Sequence, residues 1–141
     1  MRSPGNSLSA GLRAAIPAAV LSGAPSTVHA LATKSDPLEA TIAAGSILLP
    51  GESRRHRLLI AAVPVHGALS AGWAVILAGT LPLRNPVAEG ALAGLAIAAI
   101  DLGVIGRRYP RVRALRPLPQ VADHVAFGVI ASLALSRQRK T

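Results

Sequence analysis

The chain has 141 residues, of which 51% are apolar, 15% charged and 2% aromatic, with a formal net charge of +9 and no cysteine. A soluble domain carries about 25% charge and fills its core with aromatic rings, and a mean hydropathy of +0.47 is far too apolar for a disordered chain. What remains is an all-α, polytopic membrane protein that packs through Ala, Gly, Ser and Leu, without disulfides, thiolate metal sites or sulfur redox chemistry.

Residues 1–13 are a polar lead carrying Arg2 and Arg13. Residues 8–32 read as a first membrane helix, broken near Pro25 by the run Ser22-Gly23-Ala24-Pro25-Ser26. A competing reading takes the same stretch as a secretory signal with a cleavage site at Val28-His29-Ala30. Two prolines and a short apolar core count against it.

Asp36-Pro37-Leu38-Glu39 has the form of a capping box with proline at the first helical position. The helix it starts runs over 37–49 and stops at Pro50-Gly51. Thirteen residues rise about 20 Å, short of a hydrocarbon core of about 30 Å, so this segment is expected to be re-entrant or interfacial.

Residues 58–81 form the clearest span, with Pro64 inside it and a stripe of His66, Ser70, Trp73 and Leu77. Asn85-Pro86 caps the next helix, 86–106, on which Gly90, Gly94, Ala98 and Asp101 share one face. Gly90 and Gly94 make a GxxxG pair for close helix packing. The last helix, 120–136, repeats the pattern with His124, Gly128 and Ser132. The whole is one membrane domain of about four spanning helices plus the short segment at 37–49.

Charge sets the orientation. If 37–49 does not cross, the two sides carry nine and six basic residues; if it does cross, ten and five. Either way Arg54, Arg55 and Arg57, together with Arg107, Arg108, Arg111, Arg113 and Arg116, fall in the cytoplasm, where they meet anionic headgroups. Thirteen of the fifteen basic residues are arginine, and this composition points to a bacterial protein of the cytoplasmic membrane. No nucleic-acid partner is expected. A homo-oligomer or a larger membrane complex, joined through the GxxxG face, is the partner expectation.

An ionisable side chain within a bilayer is a functional-site candidate by default. His66, Asp101 and His124, with Asp123 and His29, are the candidates here, expected at one depth near the cytoplasmic side. Imidazole and carboxylate could bind a small ligand, relay a proton or hold a metal ion, with His66, His124 and Asp101 as the candidate metal ligands. No cofactor is identified, and no G-x-S-x-G, H-E-x-x-H or phosphate-binding glycine loop is present to support an enzyme. The two functional expectations are a ligand, metal or proton site used for binding or translocation, and a non-catalytic subunit of a larger assembly.

Overall fold

The computed structural model describes residues 4–140; Arg2 lies outside them. The described residues hold helices and turns and no strand. A first long helix is divided into α1 (Pro4–Leu21) and α2 (Ala24–Ala32) by a turn at Ser22-Gly23. The break falls before Pro25, which becomes the second residue of α2, where its missing N–H costs nothing.

Short α3 (Glu39–Leu48) leads into α4 (Arg55–Thr80). Helix α5 (Pro86–Ile100) continues through a π-helical turn (Asp101–Ile105) and a 3-10 turn (Gly106–Arg108). One-turn α6 (Pro110–Arg113) precedes α7 (Pro117–Gln138). Four stretches, Asn6–Ala32, Arg55–Thr80, Pro86–Arg108 and Pro117–Gln138, are long and apolar enough to cross a membrane.

The four long helices alternate in direction. Gly11 of α1 lies against Val75 of α4, and Ala19 against His66. Gly90 and Gly94 of α5 lie against Gly128 and His124 of α7. The Gln138 side chain donates to the Ala10 carbonyl at 3.4 Å, and Ser26 meets Asp123 near the other end. All the arginines of 54–57 and 107–116 therefore gather at one end of the bundle.

Short α3 belongs to that end. A Cβ on Gly45 would overlap the Leu58 backbone, and Asp36 pairs with Arg55 at 2.5 Å. Both contacts lie in the first turn of α4, so α3, about 15 Å long, stays at this end as its length required. The expected capping box does not form. The helix begins at Glu39, after Leu38, and the Asp36 carboxylate is taken up by the Arg55 guanidinium and the Leu38 N–H. These partners hold its pKa down at about 2. Glu52, bonded by the backbone N–H of Arg54 and by the Arg57 guanidinium, is likewise held below the usual carboxylate range.

The opposite end is fastened by side chains to backbone. Asn85 accepts from the Ala88 N–H and caps α5 as expected. Glu89 collects the N–H groups of Leu83, Arg84 and Asn85 at 2.6, 2.9 and 2.9 Å. Arg139 donates to the Pro82 and Leu81 carbonyls at 2.7 and 2.8 Å, satisfying two carbonyls just beyond the end of α4. The basic C-terminus, out of place for a topology set by charge alone, thus has a local partner.

The packing runs from small residues inside to large ones outside. Ala10, Ala14, Ala15, Ala18, Ala74, Ala78 and Ala131 are buried, joined by Leu77, Ile97, Phe127 and Leu135. Leu8, Leu12, Ile16, Val20, Ile60, Val63, Leu92 and Leu95 are exposed. Between α5 and α7 the backbones nearly touch. A Cβ on Gly128 would overlap the Gly90 carbonyl oxygen, and one on Gly90 would meet Ser132 Oγ. Ser132 is fully buried and donates to the Pro86 carbonyl at 2.5 Å. The Gly90/Gly94 face is therefore covered within the chain by α7. It is not a free surface for a second chain, which corrects the expectation of association through it.

Candidate functional site

Neighbours in sequence are not neighbours in space throughout this bundle. Helix α5 packs on α7, α7 on α1, and α1 on α4, while α4 and α5 barely touch. At the arginine-rich end the space between α4 and α5 widens into a cavity of about 630 Å³, closed off by α2, α3 and α7. Its walls are mostly aliphatic, among them Val20, Ala44, Leu59, Ala62 and Ile97. Several lining residues, including Thr27, Thr41, Val63 and His66, are exposed, so the cavity communicates with the outside of the bundle.

Asp101 is the centre of the polar wall. It ends the regular part of α5 and opens the π-helical turn, a local widening frequent at functional sites. The turn closes by a bond from the Gly106 N–H to the Asp101 carbonyl, and a Cβ on Gly106 would press on that oxygen and on Val112. From this position Asp101 reaches α4 and α7 together. Trp73 Nε1 donates to Oδ2 at 3.0 Å, and His124 Nε2 lies 3.4 Å from the same oxygen. The second oxygen, Oδ1, is buried and has no hydrogen-bond partner. Trp73 thus bridges the two helices that otherwise hardly meet.

The tautomers follow from the partners. His124 Nδ1 lies 2.7 Å from the Gln120 carbonyl one turn earlier, and His66 Nε2 lies 2.9 Å from the Ala19 carbonyl. A carbonyl oxygen only accepts, so both nitrogens carry a proton. Ala19 is within the last turn of α1, where carbonyls lack intrahelical donors, and His66 supplies one. Asp123 accepts the Ser26 N–H at 2.8 Å, tying α7 to the first turns of α2.

Of the five candidates, four line the cavity: His66, Asp101, Asp123 and His124. Only Asp101 and His124 face each other directly. His29 stands apart, on a small pocket of about 40 Å³ beside Ser26, Ser35, Asp36 and Glu39, with its buried Nε2 unpartnered. Among the described residues no three His, Asp or Glu side chains come together as a metal ion needs. The set His66, Asp101 and His124 is therefore not assembled as a metal site, because His66, eleven residues into α4, is turned to the α1 carbonyl instead.

The sequence reading missed three contributors. Trp73 was seen only as part of a stripe, though as a donor-only indole it needs an acceptor when partly buried. Gly11 with Ala15, a small-xxx-small pair, marks the α1 face on α4. The π-helical turn has no signal of its own in residues 101–106. In comparison with known proteins, the chain matches no family model, no curated protein and no solved structure.

Proposed function

We propose that this is a multi-pass protein of a bacterial cytoplasmic membrane, crossing it with its four long helices, and that the cavity at the arginine-rich end binds a small, largely apolar molecule. Support for insertion comes from the packing. Leucine, isoleucine and valine form the outside while alanine, glycine and serine form the inside, the reverse of a water-soluble bundle and the arrangement that suits lipid. The count of nine basic residues on one side, with α3 at that end, against six on the other supports a cytoplasmic location for Arg54–Arg57 and the 107–116 loop, facing anionic headgroups.

The single observation that carries the binding reading is the cavity itself. Its volume lies in the range of about 300–1,000 Å³ of small-molecule sites, and its mostly apolar wall with a few convergent polar groups is the pattern such sites share. The site is one of binding or translocation of an organic molecule, with Asp101 and His124 as the groups that orient it.

The chain carries one tryptophan and no cysteine, which makes both parts measurable. N-phenyl-1-naphthylamine, an uncharged fluorescent probe, is expected to quench Trp73 emission saturably in the purified full-length chain. Ala62→Phe, which fills the cavity, is expected to weaken that binding by about tenfold or more. Quenching that never saturates, or that Ala62→Phe leaves unchanged, rules out a cavity site. For orientation, a cysteine at Ser53 is expected to react with an impermeant maleimide only after the cells are opened, and one at Arg84 in intact cells. The reverse pattern would invert the topology.

A further inference from the structure

The cavity is charged oppositely to the chain that encloses it. With a formal net charge of +9 overall, no Lys or Arg among the described residues lines it, whereas two of the six carboxylates do, Asp101 and Asp123. An anion would find two carboxylates and no permanent positive charge. Two aromatic rings, Trp73 and Phe127, complete the lining, and aromatic faces attract cations. We propose that the cavity takes an amphipathic organic cation, such as a protonated or quaternary amine bearing apolar groups, in exchange for a proton held by Asp101 and His124. This inference rests on the cavity-binding reading above and adds to it the charge of the ligand and the coupling.

The exchange follows from the geometry of the pair. His124 Nδ1–H is committed to the Gln120 carbonyl, so the nitrogen that can gain or lose a proton is Nε2, the one facing Asp101 Oδ2 at 3.4 Å. That oxygen already accepts from Trp73, which suits a carboxylate. With Nε2 protonated, the imidazolium is the counter-ion of Asp101, at a separation longer than the roughly 2.7–2.9 Å of a tight charge-assisted bond. An organic cation arriving beside the carboxylate takes over that role. The N–H bond at Nε2 then breaks, its electron pair stays on nitrogen, and the proton leaves to water in the cavity. One cation enters, one proton departs, and the net charge of the site is unchanged.

The other groups around the pair do not replace it. From α4, His66 faces the cavity but donates to the Ala19 carbonyl; from α7, Asp123 is engaged by the Ser26 N–H. Helices α1, α2, α3 and α6 bring no titratable side chain to the lining. Asp101, with one oxygen unpartnered, is the carboxylate with acceptor capacity to spare.

Tetraphenylphosphonium and tetraphenylborate have nearly the same size and shape and opposite charge, and they separate the terms when titrated into the full-length chain in lipid nanodiscs. Saturable quenching of Trp73 is expected at phosphonium concentrations at least about tenfold below those for borate. Calorimetry in buffers of different ionisation enthalpy is expected to count about one proton released per phosphonium bound. Asp101→Asn is expected to lose the preference for the cation and to bind the two ions alike, its cooperative thermal unfolding, followed through Trp73, showing that the variant is folded. His124→Gln is expected to bind phosphonium without releasing a proton. Equal or tighter binding of borate, or phosphonium binding without proton release in the unaltered chain, overturns the proposal while naphthylamine binding leaves the cavity reading standing. Failure of all three probes removes the cavity reading, and this inference with it.

Discussion

Gly128→Ala is expected to destabilise the bundle by at least about 2 kcal/mol, although it adds a single methyl group. The same change at Gly72 is expected to be neutral or to stabilise by roughly 0.5–1 kcal/mol, the ordinary gain of alanine over glycine within a helix. The two sites, one within α4 and the other within α7, share residue type, helical backbone and substitution, and differ in what the new Cβ meets. At Gly72 there is nothing within 4 Å; at Gly128 there are the carbonyl oxygen of Gly90 and the backbone of Gly94. Backbone on the far side cannot swing away as a side chain would, so α5 and α7 must separate. Their separation also loosens Ser132 from the Pro86 carbonyl and His124 from Asp101. Thermal unfolding in one detergent, followed through Trp73, measures both variants. Equal midpoints for the two would mean that α5 and α7 are not in backbone contact.

That contact was legible in the sequence because small residues repeated at helical spacing on two segments, Gly90/Gly94 and Gly128/Ser132. The identity of the partner was not. A GxxxG face predicts close approach of another helix without saying whose it is, and here α7 of the same chain takes it. The spans were readable from long, mostly apolar runs bounded by Asn85-Pro86, Pro50-Gly51 and arginine clusters. Expected limits of 58–81 and 120–136 compare with Arg55–Thr80 and Pro117–Gln138.

The site was legible in part. Asp101 was expected to face inward because its helix face carried Gly90, Gly94 and Ala98, and it does. Which side chains it would meet depended on α4 and α5 standing apart while α7 and α1 lie between them, an arrangement that no periodicity records. Hydrogen bonds between residues far apart in sequence defeated two further expectations. Asp36 had the right spacing to cap α3, yet Arg55, nineteen residues on, offers it two guanidinium N–H groups, and charge-assisted bonds outcompete a cap. His66 had the right depth to join Asp101, yet the break at Ser22-Gly23 frees a carbonyl at Ala19 that its ring donates to.

Leu95→Arg is expected to abolish stable insertion of α5, and this substitution tests the reading on which the others stand. Leu95 lies two residues from the midpoint of Pro86–Arg108 and is 48% exposed. On a helix facing water, arginine there would alter stability by no more than about 0.5 kcal/mol and would improve solubility. On a helix facing lipid it costs about 2.5–3.5 kcal/mol near the helix centre, and Leu95 is not among the residues that line the cavity with Asp101 and Asp123. Insertion cannot be rescued by snorkelling alone, because the nearer end of the span is about 14 Å away along the axis. Leu95→Ala, which keeps the position uncharged, is the matched control and is expected to reach the membrane fraction at an unaltered level. A Leu95→Arg chain that purifies without detergent and retains its Trp73 emission would place the leucine belt in water. It would then need covering by protein, since so many exposed leucine, isoleucine and valine side chains exceed what a soluble monomer leaves uncovered.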